Sequence, residues 1–264
     1  MRRGERSLQD DDKIKKEWDS AVEAWVDFVR TGKDYYRDGL NNPATFELIG
    51  EVKNLVVLDI ACGEGYNTRI LARKGAEVTG VDFSEQMIRF AQQAEEKERL
   101  DICYRVMDAA SLGEVSNNHF DLVTCFMSLQ DIKDFRKAIS EVARVLKEGG
   151  RFIFSIPHPC TEQIRLNKHE GKTRAAERYF GATEYTIDWN MNRLAKPFRT
   201  TSFHRPLAAY FDALYKSKLS VKRLIEPQPR QAELNRFPGL QDVQVMPQSV
   251  IVESIKRGDD IRDA

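Results

Sequence analysis

Residues 56–68 read VVLDIACGEGYNT, and VTGVD follows at 78–82. An apolar run ends in Asp59, a glycine-broken turn follows, and a second apolar run ends in Asp82. A glycine turn between a strand and a helix lets backbone approach a ligand closely. The dinucleotide fingerprint fails here, because Thr68 stands at its third glycine position. The phosphate loop fails too, since no Gly-Lys-Ser/Thr follows. Asp59 at the mouth of the turn repels a pyrophosphate and favours a ligand with a positive charge. Asp82, at the end of the next run, is placed to accept hydrogen bonds from two ribose hydroxyls. Two carboxylates without a phosphate pocket fit a positively charged nucleoside, S-adenosylmethionine.

Outward from this turn the pattern alternates. Strands are expected at 55–60, 77–81, 102–107, 120–126 and 151–156, with helices near 66–73, 84–99 and 133–147. KEGG at 147–150 reads as a helix stop. Such alternation predicts an α/β fold: a doubly wound, mostly parallel sheet covered by helices on both faces. Ahead of it, Ile14, Trp18, Ala21, Val22, Trp25 and Val29 form one face of an amphipathic helix over 13–30, and Pro43 suits the first turn of another helix. Residues 160–203 break the rhythm with charged residues and interspersed aromatics, among them Tyr179, Phe180, Tyr185 and Trp189. They read as an insertion over the sheet edge. RPLAAYFDALYKS then looks helical, and LSVKRLIEP and QSVIVESIK look like closing strands.

Composition bounds the partners. Lys+Arg and Asp+Glu both number 41, so binding to nucleic acid through overall charge is not expected. No apolar run reaches membrane-spanning length. Cys62, Cys103, Cys125 and Cys160 lack CxxC spacing and read as buried free thiols of a reducing cytosol, with no metal site.

The motifs LDIACGEG, VTGVDFSEQM, YRVMDAASL, FDLVTCFMSLQDI and LKEGGRFIFSIPHPC, in this order over about residues 52–158, resemble the class I, Rossmann-like S-adenosylmethionine-dependent methyltransferases. The resemblance implies a seven-stranded sheet with an antiparallel last strand, and a single domain over 1–264. That domain would comprise an N-terminal helical cap or lid (1–50), a cofactor core (51–158), a substrate-side insertion (159–204) and a C-terminal part (205–264). It makes Asp59, Ala61, Gly63 and Gly65 the cradle of the methionine moiety; Ala61 replaces the family's usual first glycine. Asp82 becomes the ribose ligand, with Phe83 and Met87 near the adenine. Asp108 and the Ala109 backbone would bind the adenine, and Phe126 and Met127 would flank the sulfonium. Tyr35 and Tyr36, just beyond the first helix, would close the cofactor pocket. His158 in SIPHPC and His204 in SFHRPL are the candidates for a base; His119 and His169 read as exposed. Gln130 and Asp131 are candidates to orient an acceptor. HPC and HRPL resemble a small-molecule subgroup of the family, and no Asn-Pro-Pro-Tyr-type tetrad is present. The expected function is methyl transfer to a small molecule. The alternatives are transfer to RNA or protein, with the basic stretch 165–178 as docking surface, or cofactor binding without catalysis.

Overall fold

The computed structural model describes residues 5–162, 179–190 and 194–258; the basic stretch 165–178 and His169 lie outside the described residues. Five strands alternate with helices: β1 Val56–Ile60, β2 Glu77–Asp82, β3 Cys103–Val106, β4 Phe120–Phe126 and β5 Leu146–Pro157. A hairpin, β6 Thr183–Trp189 and β7 Phe198–His204, precedes β8 Leu219–Ile225 and β9 Ser249–Lys256. The main sheet has seven strands in the order β3-β2-β1-β4-β5-β9-β8. β1 to β5 are parallel, and β9 runs antiparallel to both neighbours. The order reverses between β1 and β4, where the carboxyl ends of an open α/β sheet leave a crevice for ligands.

The helices are α1 Glu5–Arg30, α2 Asn42–Ile49, α3 Tyr66–Arg73, α4 Glu85–Glu98, α5 Phe135–Val145, α6 Leu207–Lys216 and α7 Gln231–Arg236. Ser84 begins α4, its hydroxyl accepting the Met87 N–H at 3.1 Å. Asp134 begins α5 in the same way through the Lys137 N–H. The apolar face of α5, with Phe135, Ala138, Ile139 and Val142, packs in the core beside Phe152 and Phe154 of β5. α2 covers the other face, where Leu48 and Ile49 meet Val57, Leu122 and Ile153.

Three expectations change. KEGG does not lie outside the strand: β5 starts at Leu146, directly after α5, and the ladder to β4 shifts register between Phe120 and Leu122 to accommodate it. The insertion contains a regular antiparallel hairpin, which its mixed charged and aromatic sequence hides. Of the four free cysteines, only Cys125 is buried; Cys62 is half-buried, and Cys103 and Cys160 are exposed because they lie on the edge strand β3 and in the helical residues 159–162 after β5.

The first helix packs on α4 and on the hairpin. Ser84 Oγ donates to Asp19 Oδ1 at 2.5 Å, and Thr201 N–H donates to Glu17 Oε2 at 2.7 Å. Trp25 stands edge-on to Trp18 and to Trp189, with ring centres 5.5 and 5.3 Å away, and Phe198 stacks on Trp189 at 5.5 Å. Such pairs add about 0.5–1.5 kcal/mol each beyond their burial. Among the described residues no helix is long and apolar enough to cross a membrane. Nor is any group of three or more His, Cys, Asp or Glu among them arranged to hold a metal ion.

Candidate active site

A cavity of about 710 Å³ opens at the carboxyl ends of β1, β2 and β4, roofed by α1 and the hairpin. Asp59, Ala61 and Gly63 from the first turn line it, as do Asp82, Phe83 and Met87 from the second strand and its helix. Asp108, Ala109, Phe126, Met127 and Tyr36 complete the predicted residues that it brings together.

The two glycines of the turn have different roles. Gly63 has φ +57, and a Cβ there meets nothing within 4 Å, because it would project into the cavity. Gly65 has φ +80 and lies outside the lining; a Cβ there collides with the hydroxyl end of Tyr104. Between β1 and these glycines, Ala61 holds φ +50, a left-handed conformation that L residues adopt at a cost of about 1–2 kcal/mol.

Asp82 Oδ2 accepts the Gly63 N–H and its Oδ1 accepts the Ser84 N–H, each at 2.9 Å. One carboxylate thereby fixes both the glycine turn and the entry to α4. Burial pushes the Asp82 carboxyl up to about 6, against the two backbone N–H groups and aided by the charge of Asp19. Asp59 is 1 % exposed, and its oxygens accept from Thr68 Oγ1 at 2.7 Å and Thr124 Oγ1 at 2.8 Å. Burial raises it to about 7, opposed by those hydroxyls and reinforced by the charge of Asp82. Asp108 is exposed and also closes its own turn, accepting the Ala110 N–H at 2.8 Å. Phe126 stacks on Phe46 with ring centres 5.5 Å apart, and Met127 turns away from the strand at φ +50.

Both histidines were expected as bases; the structure places neither in the cavity lining. His158 is buried outside the cavity lining. The Cys160 N–H points at its Nδ1 from 3.3 Å, so the ring proton sits on Nε2 and is donated to Glu226 at 3.0 Å. His204 is fully buried; its Nε2 faces the Tyr179 carbonyl at 3.1 Å and its Nδ1 faces Glu162 Oε2 at 3.2 Å. With both nitrogens engaged, each ring is an anchor. Tyr35 also lies outside the lining: it packs against Gly239 and joins Leu40, Leu234 and Leu240 in a separate small core.

Instead, the polar end of the cavity holds Gln130, Asp131, Glu162 and Tyr185. Tyr185 donates its phenolic hydrogen to Glu162 Oε1. Burial, together with the Glu162 charge, pushes that phenol well above its ordinary range. The loop carrying Gln130 and Asp131 is fixed by Arg205, which donates to the carbonyls of Leu129, Gln130, Ile132 and Lys133 at 2.7–3.4 Å. Nothing in the local sequence around Glu162 marks it. Its placement comes from the helical residues 159–162 after β5 meeting a hairpin strand across the cavity.

A family model described as methyltransferase domain matches residues 58–154, which hold β1 to β5 and the turns just described. Residues 58–154 of the chain form a methyltransferase domain of that family. Among its relatives, this chain is 36 % identical over 119 residues to a Coxiella burnetii ubiquinone biosynthesis O-methyltransferase, covering 44 % of this chain and 50 % of that one. The chain thus spans about half the length of these curated relatives. An uncharacterised Haemophilus influenzae protein is 27 % identical over 200 residues, covering 71 % of this chain and 76 % of its own. Among solved structures, an S-adenosylmethionine-dependent methyltransferase from Listeria monocytogenes superposes with TM-score 0.67 at 24 % identity, over 83 % of this chain and 97 % of the other. One from Mesorhizobium loti gives 0.63 at 22 %, over 81 % and 96 %. These two likenesses concern the fold.

The raised carboxyls make ligand binding pH-dependent. In the folded protein Asp82 keeps its proton up to about 6, against an ordinary value near 3.8. The folded state therefore binds more protons than the unfolded chain between those values, and stability falls as pH rises through that window. A ligand that needs the ionised carboxylate behaves oppositely. S-adenosylhomocysteine should bind about tenfold more weakly at pH 5 than at pH 7.5, with affinity level above about 7 and proton release on binding near pH 6. Calorimetry in buffers of different ionisation enthalpy measures both, and a flat profile would contradict the role of Asp82.

Proposed function

We propose that this methyltransferase binds S-adenosylmethionine along the β1–β2–β4 rim and transfers its methyl group to a small molecule held under α1 and the hairpin. The observation that carries this reading is one cavity joining the Asp82–Gly63 rim to an aromatic and carboxylate-rich chamber roofed by α1. Bound there, the cofactor supplies an electrophilic methyl carbon on a positively charged sulfur. Asp82 would hold the ribose, and Gly63 leaves room for the ligand against the turn. The buried carboxyl of Asp59 adds negative potential beneath it. Asp108 and Ala109 would border the adenine, and Phe126 and Met127 the sulfur. The chain's own task is then alignment and exclusion of water. A roofed chamber of this size suits a small molecule better than a folded RNA or protein. The O-methyltransferase name of the Coxiella relatives agrees with a small acceptor.

The test is transfer of labelled methyl groups from S-adenosylmethionine to a pool of small metabolites, run beside bulk RNA and protein. Label in the metabolite fraction is expected; label only in RNA or protein would move the acceptor to that class.

In the lid reading, α1 moves when ligands exchange. Arg30 ties the end of that helix to Glu64 of the glycine turn at 2.5 Å, and to the Phe90 carbonyl at 3.1 Å. Thr31 and Gly32 beyond it are exposed. Trypsin is expected to cut the free protein around Arg30–Arg37 and to cut more slowly when S-adenosylhomocysteine is bound. Identical rates in both states would make α1 a fixed cap.

A further inference from the structure

The chain holds 3 tryptophans, Trp18, Trp25 and Trp189, and all of them border the cavity, two from α1 and one from the hairpin. Side chains alternate across a strand, so Tyr185, Ile187 and Trp189 share one face of β6. That face is the more buried one, while Glu184, Thr186 and Asp188 between them are exposed. The three tryptophans are nevertheless only partly buried, although α1 and the hairpin pack on one another around them. A covered apolar ring that keeps accessible surface gains when a ligand takes that surface out of water.

The rings are fixed by the protein itself. Trp25 meets Trp18 at 79° and Trp189 at 76°, and Trp189 stacks on Phe198 at 19°. The Trp189 Nε1–H donates to Thr200 Oγ1 at 2.9 Å, so its polar atom is engaged and the rest of the indole is apolar. Two rings nearly perpendicular to a third form a corner that offers both faces and edges. An aromatic guest can pack edge-to-face and offset-stacked in such a corner, and aromatic pairs gain beyond their burial.

A cation would also suit a ring face. The carboxylates near the hairpin, however, already have partners within the chain. Asp131 accepts from the Gln130 amide at 3.1 Å and from the Ser202 hydroxyl. Glu162 is engaged by Tyr185 and His204, and Asp188 pairs with Arg199. A neutral ring therefore fits this end better than a charged one. Nor does the cofactor's adenine account for all three tryptophans. Trp18 and Trp25 pack with Met87 on the rim side, whereas Trp189 lies outside that cluster, on the strand of Tyr185.

We propose, on the basis of the methyl-transfer reading above, that the acceptor carries a neutral aromatic ring packed against Trp25 and Trp189, and that Trp189 sets this specificity.

Two measurements test this. In the S-adenosylhomocysteine complex of the full chain, calorimetry compares 2-naphthylmethanol with its decahydro analogue, which keeps the skeleton and the hydroxyl but has no π system. Saturation makes the probe more apolar, so burial alone favours the decahydro form. The aromatic probe should nevertheless bind at least about tenfold more tightly, through its ring contacts. Trp189→Leu keeps apolar bulk and loses the ring. It should cut the preference to within about threefold while the saturated alcohol and S-adenosylhomocysteine bind within about twofold of wild type. Equal binding of the two probes to wild type, tighter binding of the saturated one, or binding of neither overturns the proposal. So does a Trp189→Leu variant that weakens both probes alike or leaves the preference unchanged. In the labelled-methyl assay, products are separated from the cofactor and sorted by chromatography with ultraviolet detection. Label in products with an aromatic chromophore supports the proposal. Label confined to products without one overturns it and leaves small-molecule methyl transfer standing; absence of label in any metabolite removes both.

Discussion

Replacing Asp82 with alanine will lower the affinity for S-adenosylhomocysteine by about tenfold to over a hundredfold, because two ribose hydroxyls lose a charged acceptor worth roughly 1.5–3 kcal/mol. The structure adds a second cause. Asp82 also accepts the N–H groups of Gly63 and Ser84, each at 2.9 Å, so its loss leaves two backbone donors of the turn unpaired. Asp82→Asn separates the two causes. It keeps one acceptor oxygen for the turn and loses the charge, so its affinity should fall between wild type and alanine. Calorimetry of both variants decides; an unchanged dissociation constant in Asp82→Ala would remove the ribose assignment.

The second large effect is expected at the glycine turn, where two neighbouring glycines should fail in different ways. Gly65→Ala carries the left-handed strain of about 1–2 kcal/mol. It also forces its Cβ onto the Tyr104 ring, an overpacking cost of about 1–3 kcal/mol. The sum should lower the melting temperature by roughly 5–15 °C for a domain of this size. Gly63→Ala carries only the conformational strain, because its Cβ enters open space. That space belongs to the cavity, so this variant should melt within a few degrees of wild type yet bind S-adenosylhomocysteine at least tenfold more weakly. Thermal melts and titrations of both variants measure the contrast. Equal melting temperatures, or unimpaired binding by Gly63→Ala, would show that the turn does not divide its roles this way.

The sequence by itself determined what depends on neighbours along the chain. Buried parallel strands need continuous apolar runs, so VVLDI and FDLVTCF announced themselves, and the turn chemistry after Asp59 followed from residue identity alone. The parallel strands, the helices on both faces and the carboxylate at Asp82 were therefore legible, as were the cavity-lining residues Asp59, Gly63, Met87 and Phe126. Periodicity also found α1, because Trp18 and Trp25 repeat at helical spacing. What it could not give was the partner of that face, which is a hairpin more than 150 residues later, meeting it through Trp189 and Phe198. The histidines show the limit most clearly. Residue type and position after a strand suggested a base at His158 and His204, but only tertiary packing sets what each ring nitrogen faces. There, Glu226, the Cys160 N–H, Glu162 and the Tyr179 carbonyl occupy them. Conversely, Gln130 and Asp131 read as ambiguous polar residues at a helix entry. Arg205, about 75 residues away, holds their loop against the cavity through backbone carbonyls. Local sequence encodes which groups are present; burial and long-range contacts decide which of them are left with an open valence for chemistry.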